Sequence, residues 1–303
     1  MKTAVLAFSA ALFAPGAYSW GLVGHATVGY VAQHYLDGAA KILTSHLLDG
    51  VPLANVASWA DSFRYTDAGA FSAHLHYIDA HDQVPNKCGV KLERDCPPEG
   101  CIVTAIANYW IEVLTGRPVT QTSRILDDKL SKEERANALK FVVHFLGDIT
   151  QPLHTENLDV GGNTITVTWG GNDAASKTNL HAVWDTKIVE TLAGGSTLAA
   201  ADTLSKSIIT DIESGIYKDQ KESWTSCGSI KRGTGCPKAW AQDANQFVCT
   251  NVLVDGADAV RGQDVSGAYY EKNVPIARQQ LAKGGYRLGL WLNAIAKAEQ
   301  KKC

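Results

Sequence analysis

After the apolar run from Ala4 to Phe13, no stretch of the 303-residue chain approaches the roughly 20 apolar residues needed to cross a bilayer. A helical membrane protein is thereby excluded. Seven Cys occur, but no Cys-x-x-Cys pair, which argues against zinc held by thiolates. No Asn-x-Ser/Thr triplet occurs, so N-glycosylation is not expected. Basic residues are not in excess: 28 Lys and Arg face 31 Asp and Glu, a net charge of −3. A protein that binds nucleic acid by neutralising phosphates is usually basic. Any such work by this chain would draw its positive charge from bound cations. Internal repeats, low-complexity segments and linkers are also missing, which points to one large domain.

What is present begins with a leader. Lys2, the apolar run and the small residues of Ala17-Tyr18-Ser19 form a signal-peptide pattern. Residues 1–19 are expected to be removed, leaving a catalytic domain over 20–303, exported and soluble, with Trp20 as its first residue. Loss of Lys2 takes the net charge to −4. In an oxidising compartment the Cys read as disulfides. Cys96 and Cys101 enclose a tight Pro-Pro-Glu-Gly loop, and Cys227 and Cys236 a polar, Gly-rich one. Cys88 would then close the long loop with Cys249, with Cys303 left over.

The fold class expected is mainly α, a single helical domain with a short β-hairpin. Apolar residues recur at helical spacing over 25–36 and 101–114, and 197–215, 238–254 and 275–299 also read as helices. The Gly284-Gly285 pair counts against the last. The clearest helix is 131–149, with Ser131 and Glu134 as a capping box. Thr164 to Thr168 alternates as a strand, with Gly170-Gly171-Asn172 as its turn.

Within 131–149, His144 and Asp148 stand four apart, on one helix face. His181 and Asp185 repeat the spacing. Facing helices build metal sites from such pairs. Pro152 ends the first helix, so His154 can turn back over the same pocket. Upstream lie His25, Asp61 and His76, and a free Trp20 amine and carbonyl could chelate an ion. Trp20, His25, Asp61, His76, His144, Asp148, His154, His181 and Asp185 make nine nitrogen and oxygen donors, a set suited to catalytic zinc. Nine is too many for one ion; three ions with one bridging carboxylate fit the count. An ion pair on a solvated face would explain one His-x-x-x-Asp but poorly explains two plus His154. His34, His46, His74 and His81 are read as ordinary surface or core histidines.

These motifs, from Trp20-Gly21-x-x-Gly24-His25 through Ser58-Trp59-Ala60-Asp61, Leu75-His76-Tyr77-Ile78-Asp79, Val143 to His154, Gly161-Gly162-Asn163, Asn179-Leu180-His181-x-x-Trp184-Asp185 and Gly285-Tyr286-Arg287-Leu288, cover the mature chain. The chain resembles the secreted fungal single-strand-specific zinc nucleases, a family that includes plant bifunctional nucleases and is related to bacterial zinc phospholipase C. The resemblance implies three zinc ions. Asp61, His76, His144 and Asp148 match the ligands of the first, and His154, His181 and Asp185 those of the second. Trp20, His25 and Asp148 match those of the third, with Asp148 bridging. It implies that Asp61 orients the nucleophile and that Arg64 lies beside the scissile phosphate. Tyr77 falls where a base stacks, Asp79 where a base edge is accepted, and Asn157 near the phosphate. Thr155 departs from the pattern, since close relatives carry Asp there.

The activity implied is zinc-dependent hydrolysis of single-stranded DNA and RNA to 5′-phosphorylated products, with 3′-nucleotidase activity, by a secreted monomer. Two alternatives stand beside it. A phospholipase C-like phosphodiesterase is disfavoured because Asp185 stands where those enzymes carry Glu. A non-catalytic zinc-binding protein is disfavoured by Arg64 beside Asp61, since storage needs no phosphate clamp.

Overall fold

The computed structural model describes residues 20–107, 121–227 and 234–301. The leader expected over 1–19, the second half of the helix expected over 101–114, and Cys303 lie outside them. The described part is mainly α, with one two-stranded antiparallel sheet. None of its helices is long and apolar enough to cross a membrane.

Seven helices frame the site: α1 (Gly21–Tyr35), α2 (Gly38–Leu47), α3 (Trp59–Phe63), α4 (Lys132–Asp148), α5 (Leu198–Glu213), α6 (Gly235–Phe247) and α7 (Ala268–Gln300). Helix α4 starts at the capping box. Ser131 Oγ accepts the Glu134 amide at 3.2 Å, and Glu134 returns a carboxylate to the Ser131 amide at 2.9 Å. Every residue from Ala138 to Asp148 except Lys140 is buried. A helix apolar on all sides belongs in the middle of a domain, and this one carries His144 and Asp148 into the core.

The helix read over 275–299 is present as α7 and runs unbroken through Gly284-Gly285, although that pair counted against it. The reason is tertiary. A Cβ on Gly285 would sit 2.4 Å from Val31 Cβ, and one on Gly289 would sit 2.8 Å from Tyr35 Cβ. The glycines let α7 press directly on α1, the helix that carries His25. Gly285→Ala should therefore destabilise the fold. Overpacking costs about 1–3 kcal/mol, against a gain in helix propensity of about 1 kcal/mol. Thermal unfolding checks this; an unchanged or raised Tm would refute the close-packing account.

The hairpin also differs from expectation. Its first strand is Thr166–Thr168 (β1), pairing with Lys177–Asn179 (β2) in the register Thr166↔Asn179, Val167↔Thr178, Thr168↔Lys177. The connection is longer than the Gly170-Gly171-Asn172 turn, because a 3₁₀ turn at Ala174–Ser176 is inserted. From β2 the chain enters a helical turn at Leu180, where the Asn179 side chain accepts the Ala182 amide at 2.8 Å. That cap fixes where His181 emerges.

Three disulfides join Cys88–Cys249, Cys96–Cys101 and Cys227–Cys236, the pairings read from the spacing. The first spans 161 positions. With the Gln242 side chain on the Val90 amide at 2.9 Å, it ties the loop after Asp79 to α6 and to the Val248–Val252 turn that follows it.

Candidate metal centre

Four segments deliver buried His and Asp to one region of the core. Helix α1 supplies His25, α3 supplies Asp61, a 3₁₀ turn at Ala70–His76 supplies His76, and α4 supplies His144 and Asp148. His144 Nε2 lies 3.1 Å from Asp148 Oδ2, 3.0 Å from His76 Nδ1 and 3.5 Å from Asp61 Oδ1. His25 Nε2 lies 3.2 Å from Asp148 Oδ1. One carboxylate thus faces His25 with one oxygen and His76 and His144 with the other. The 3₁₀ turn Pro152–Thr155 supplies His154, and the segment after β2 supplies His181 and Asp185.

Three donor groups result, each drawn together within 4.8 Å: His25, His144 and Asp148; Asp61, His76 and His144; and His154, His181 and Asp185. A fourth group, Asp82, Cys88 and Glu156, is as compact, but the Cys88 sulfur is in a disulfide and cannot serve as a thiolate.

The details fit metal cations rather than a bare polar core. His154 Nδ1 faces the His76 carbonyl at 2.9 Å, and His181 Nδ1 the Gly161 carbonyl at 2.6 Å. A carbonyl only accepts, so both rings carry their proton on Nδ1. Both Nε2 lone pairs are left pointing at each other, 3.1 Å apart. Two lone pairs at that distance repel unless a cation or proton lies between them. Tetrahedral zinc, with Zn–N of about 2.0–2.1 Å, would hold such nitrogens about 3.3 Å apart. His144 repeats the pattern, with Nδ1 2.7 Å from the Ala57 carbonyl. Such carbonyl partners are how ligand histidines are oriented. Both oxygens of Asp61 and Nε2 of His76 are buried with no hydrogen-bond partner among the described residues, a costly state for polar atoms without a ligand.

Electrostatics agree. Burial opposes the charge on His144, yet Asp148 and Asp61 push it up to about 10. Burial dominates His76, bringing it down to about 4 despite Asp148. Burial also lowers His25 and His154. Burial resists ionisation of Asp148, but His144, His25 and His76 hold it well below the usual carboxylate range. Asp61 and Asp148 are thus kept ionised and His25, His76 and His154 neutral, the protonation states that ligands need. His144 and His181, raised against burial by their carboxylate neighbours, would give up a proton to a bound cation.

Two features of this centre were not legible in the sequence. His181 and Asp185 do not lie on a regular α-turn: a π-turn at Val183–Lys187 follows the short helix, leaving His181 Nε2 3.2 Å from Asp185 Oδ2. π-turns are frequent at functional sites. Gln151, three residues after Asp148 and three before His154, donates from Nε2 to Asp185 Oδ1 at 2.7 Å and so turns the other oxygen toward His181. Gln151→Ala is expected to lower zinc affinity by about 10–100-fold, the usual effect of losing a residue that orients a ligand. Competition with a chromogenic chelator measures it, and native affinity would show that Asp185 needs no such support.

Trp20 is fully buried. Its carbonyl accepts the His25 amide at 3.2 Å, and its indole donates to Thr150 Oγ1 at 3.2 Å. A Cβ on Gly147 would lie 2.8 Å from His25 Nδ1 and 3.8 Å from Trp20 Cδ1, so Gly147 clears the space in which both pack.

With this geometry in view, similarity decides the family. Residues 20–297 match the S1/P1 nuclease family. The chain belongs to that family. It is 44% identical to Nuclease S1 of Aspergillus oryzae over 282 residues, 92% of each chain. It is likewise 44% identical to Nuclease P1 of Penicillium citrinum over 286 residues, 93% of this chain and 100% of the relative. Endonuclease 2 of Arabidopsis thaliana is more distant, at 33% over 297 residues.

For an S1/P1 nuclease, the side chains near the donor groups are where a substrate would rest. Arg64, one residue beyond α3, is half-buried; it donates to Tyr65 Oη at 3.2 Å, and its guanidinium lies 5.1 Å from that ring's centre. Tyr77 leaves the 3₁₀ turn directly after His76 and is 38% exposed, well short of a core side chain. Burial raises its phenol, Asp79 adds to the rise, and Arg64 opposes it. Partial burial also raises Asp79, and His81 opposes that. The Asn157 amide nitrogen lies 3.0 Å from His81 Nδ1, which places Asn157 on the Asp79–His81 segment. His81 was read as an ordinary histidine; nothing in its spacing betrays its contact with Asn157. Tyr65, 65% exposed beside Arg64, was likewise not singled out.

Proposed function

We propose that this S1/P1 nuclease is a secreted, monomeric, zinc-dependent endonuclease that cleaves single-stranded DNA and RNA to 5′-phosphorylated products and also acts on 3′-nucleotides. The observation that carries it is the meeting of three buried His/Asp donor groups, with an exposed aromatic directly after His76 and a half-buried arginine three residues after Asp61. Asp61, His76, His144 and Asp148 are the ligands of one ion, His154, His181 and Asp185 of a second, and Trp20, His25 and Asp148 of a third. The chain is proposed to lose residues 1–19 on export and to work as one domain over 20–303.

Zinc bound there supplies Lewis acidity and an activated water at neutral pH. The protein's own groups do the rest. Asp61, buried with both oxygens free of hydrogen bonds among the described residues, orients the attacking water. Arg64 balances phosphate charge as it builds up. Tyr77 stacks on a base while Asp79 accepts from its edge, and Asn157 holds the adjacent phosphate. An exposed ring can stack only on a base that has left its own stack, so a duplex must first open, at a few kcal/mol per base. Single-strand preference follows.

The test is a side-by-side assay of zinc-loaded protein on single-stranded DNA, duplex DNA, a 3′-nucleotide and phosphatidylcholine. Cleavage of the first and third is expected; turnover of the lipid alone would overturn the proposal. Within it, Tyr77→Ala should raise KM for single strands by about 5–150-fold, the equivalent of 1–3 kcal/mol of stacking, with zinc content unchanged. Loss of thermal stability at an unchanged KM would make Tyr77 a packing residue only.

A further inference from the structure

A cavity with charged side chains in its wall lies outside the metal centre. Gln279, Lys283 and Arg287 step along one face of α7 at intervals of four and line a cavity of about 360 Å³ with Trp224, Trp240 and Asp243. The two cations are 5% and 4% exposed, a degree of burial that charged side chains reach only when paired. Asp243 is the carboxylate that pairs with them. Lys283 Nζ donates to its oxygens at 2.8 and 2.9 Å, and Arg287 Nη2 donates at 2.8 Å. Arg287 Nε donates to the Trp224 carbonyl at 3.0 Å. Two cations on one carboxylate leave a surplus positive charge at the cavity wall.

The unmet hydrogen bonds have the same sign. Arg287 Nη1 and Trp240 Nε1 are buried with no partner among the described residues. Both are donors, and a buried guanidinium N–H without an acceptor is costly. What completes this cavity is a group that brings negative charge and several acceptor oxygens. A guanidinium edge beside an ammonium favours a phosphate, and the indole rings of Trp224 and Trp240 border the space around it.

We propose that this cavity is a phosphomonoester-binding site separate from the metal centre, with Arg287, Lys283 and the Trp240 indole N–H as its donors. Its ligand is orthophosphate or the phosphate of a mononucleotide. The mononucleotide source rests on the nuclease reading, since 5′-phosphates are what that reaction would leave; the anion site itself does not.

Crystals of zinc-loaded protein soaked in sodium tungstate, a tetrahedral oxyanion, separate this cavity from the metal centre by position. An anomalous peak within hydrogen-bond reach of Arg287 Nη1 and Trp240 Nε1 is expected, whatever appears at the metals. Calorimetric titration with orthophosphate and with adenosine 5′-monophosphate should then show one binding site more than in Ser226→Glu, which puts a negative charge on the exposed cavity lining. Arg287→Lys should weaken that site by at least tenfold. Cleavage of single-stranded DNA by Ser226→Glu should stay within twofold of wild type. A nucleotide binding tenfold tighter than orthophosphate supports the mononucleotide source, and equal binding supports free phosphate. No cavity peak, or a peak and a site count unaffected by Ser226→Glu, overturns the proposal. An active nuclease with a silent cavity sinks this inference alone, and a phosphate-binding cavity in an inactive protein sinks the nuclease reading alone.

Discussion

His144→Ala should reduce hydrolysis of single-stranded DNA by at least about 100-fold, the low end of what losing one charge-stabilising group costs an active site, and should also lower bound zinc. The expectation rests on where Nε2 of His144 sits. It is within 3.5 Å of His76, Asp61 and Asp148 at once, and the ring belongs both to the group with Asp61 and His76 and to the group with His25 and Asp148. Without it, Asp61 and Asp148 lose the imidazole that most favours their ionised forms. His181→Ala should act on one ion alone. His181 meets His154 and Asp185 and belongs to neither of the other groups. Zinc per protein by mass spectrometry should fall from three to two in His181→Ala and further in His144→Ala. Circular dichroism verifies that both variants fold. Full zinc with a full rate in either variant would remove that residue from the centre.

The reason these donors were legible, and their supports were not, is physical. A donor pair on one helix must obey the helix period, so His144–Asp148 leaves a four-residue spacing in the sequence; His181–Asp185 shows the same spacing although a π-turn carries its second member. Pro152 leaves an equally plain mark, because it must end α4 and let the chain turn His154 inward. The orienting partners obey no such period. Backbone carbonyls of Ala57, His76 and Gly161 fix three imidazoles, and any residue type supplies a carbonyl. The second strand of the hairpin, Lys177-Thr178-Asn179, is partly exposed to exposed throughout and shows no apolar alternation, so only its pairing identifies it. The Gly284-Gly285 pair pointed the wrong way, because helix propensity counts glycine as a cost while the contact with Val31 makes it a requirement. Local rules recover what local geometry demands; what distant segments demand of each other stays hidden in one sequence.

The largest effect from the smallest change is expected at the amino end. If the amine and carbonyl of Trp20 hold an ion with His25 and Asp148, the chain works only when Trp20 is its first residue. Any residue in front of it turns the amine into an amide, a very poor donor to zinc. A protein made over 20–303 with an added Gly-Ser should fold, because Trp20 still packs by its buried side chain and its indole bond to Thr150. It should bind two zinc ions instead of three and lose nearly all hydrolysis of single-stranded DNA. Chemical acetylation of the native amine should do the same without adding a residue. The side chain should matter less: Trp20→Phe loses the Thr150 bond, worth about 1 kcal/mol, yet keeps the amine and should keep three ions. The alternative is that Trp20 is only the buried start of α1, with a role in packing and none in metal binding. The Gly-Ser protein would then bind three ions and cleave at the native rate, and the third site would have to be built from His25 and Asp148 without the terminus.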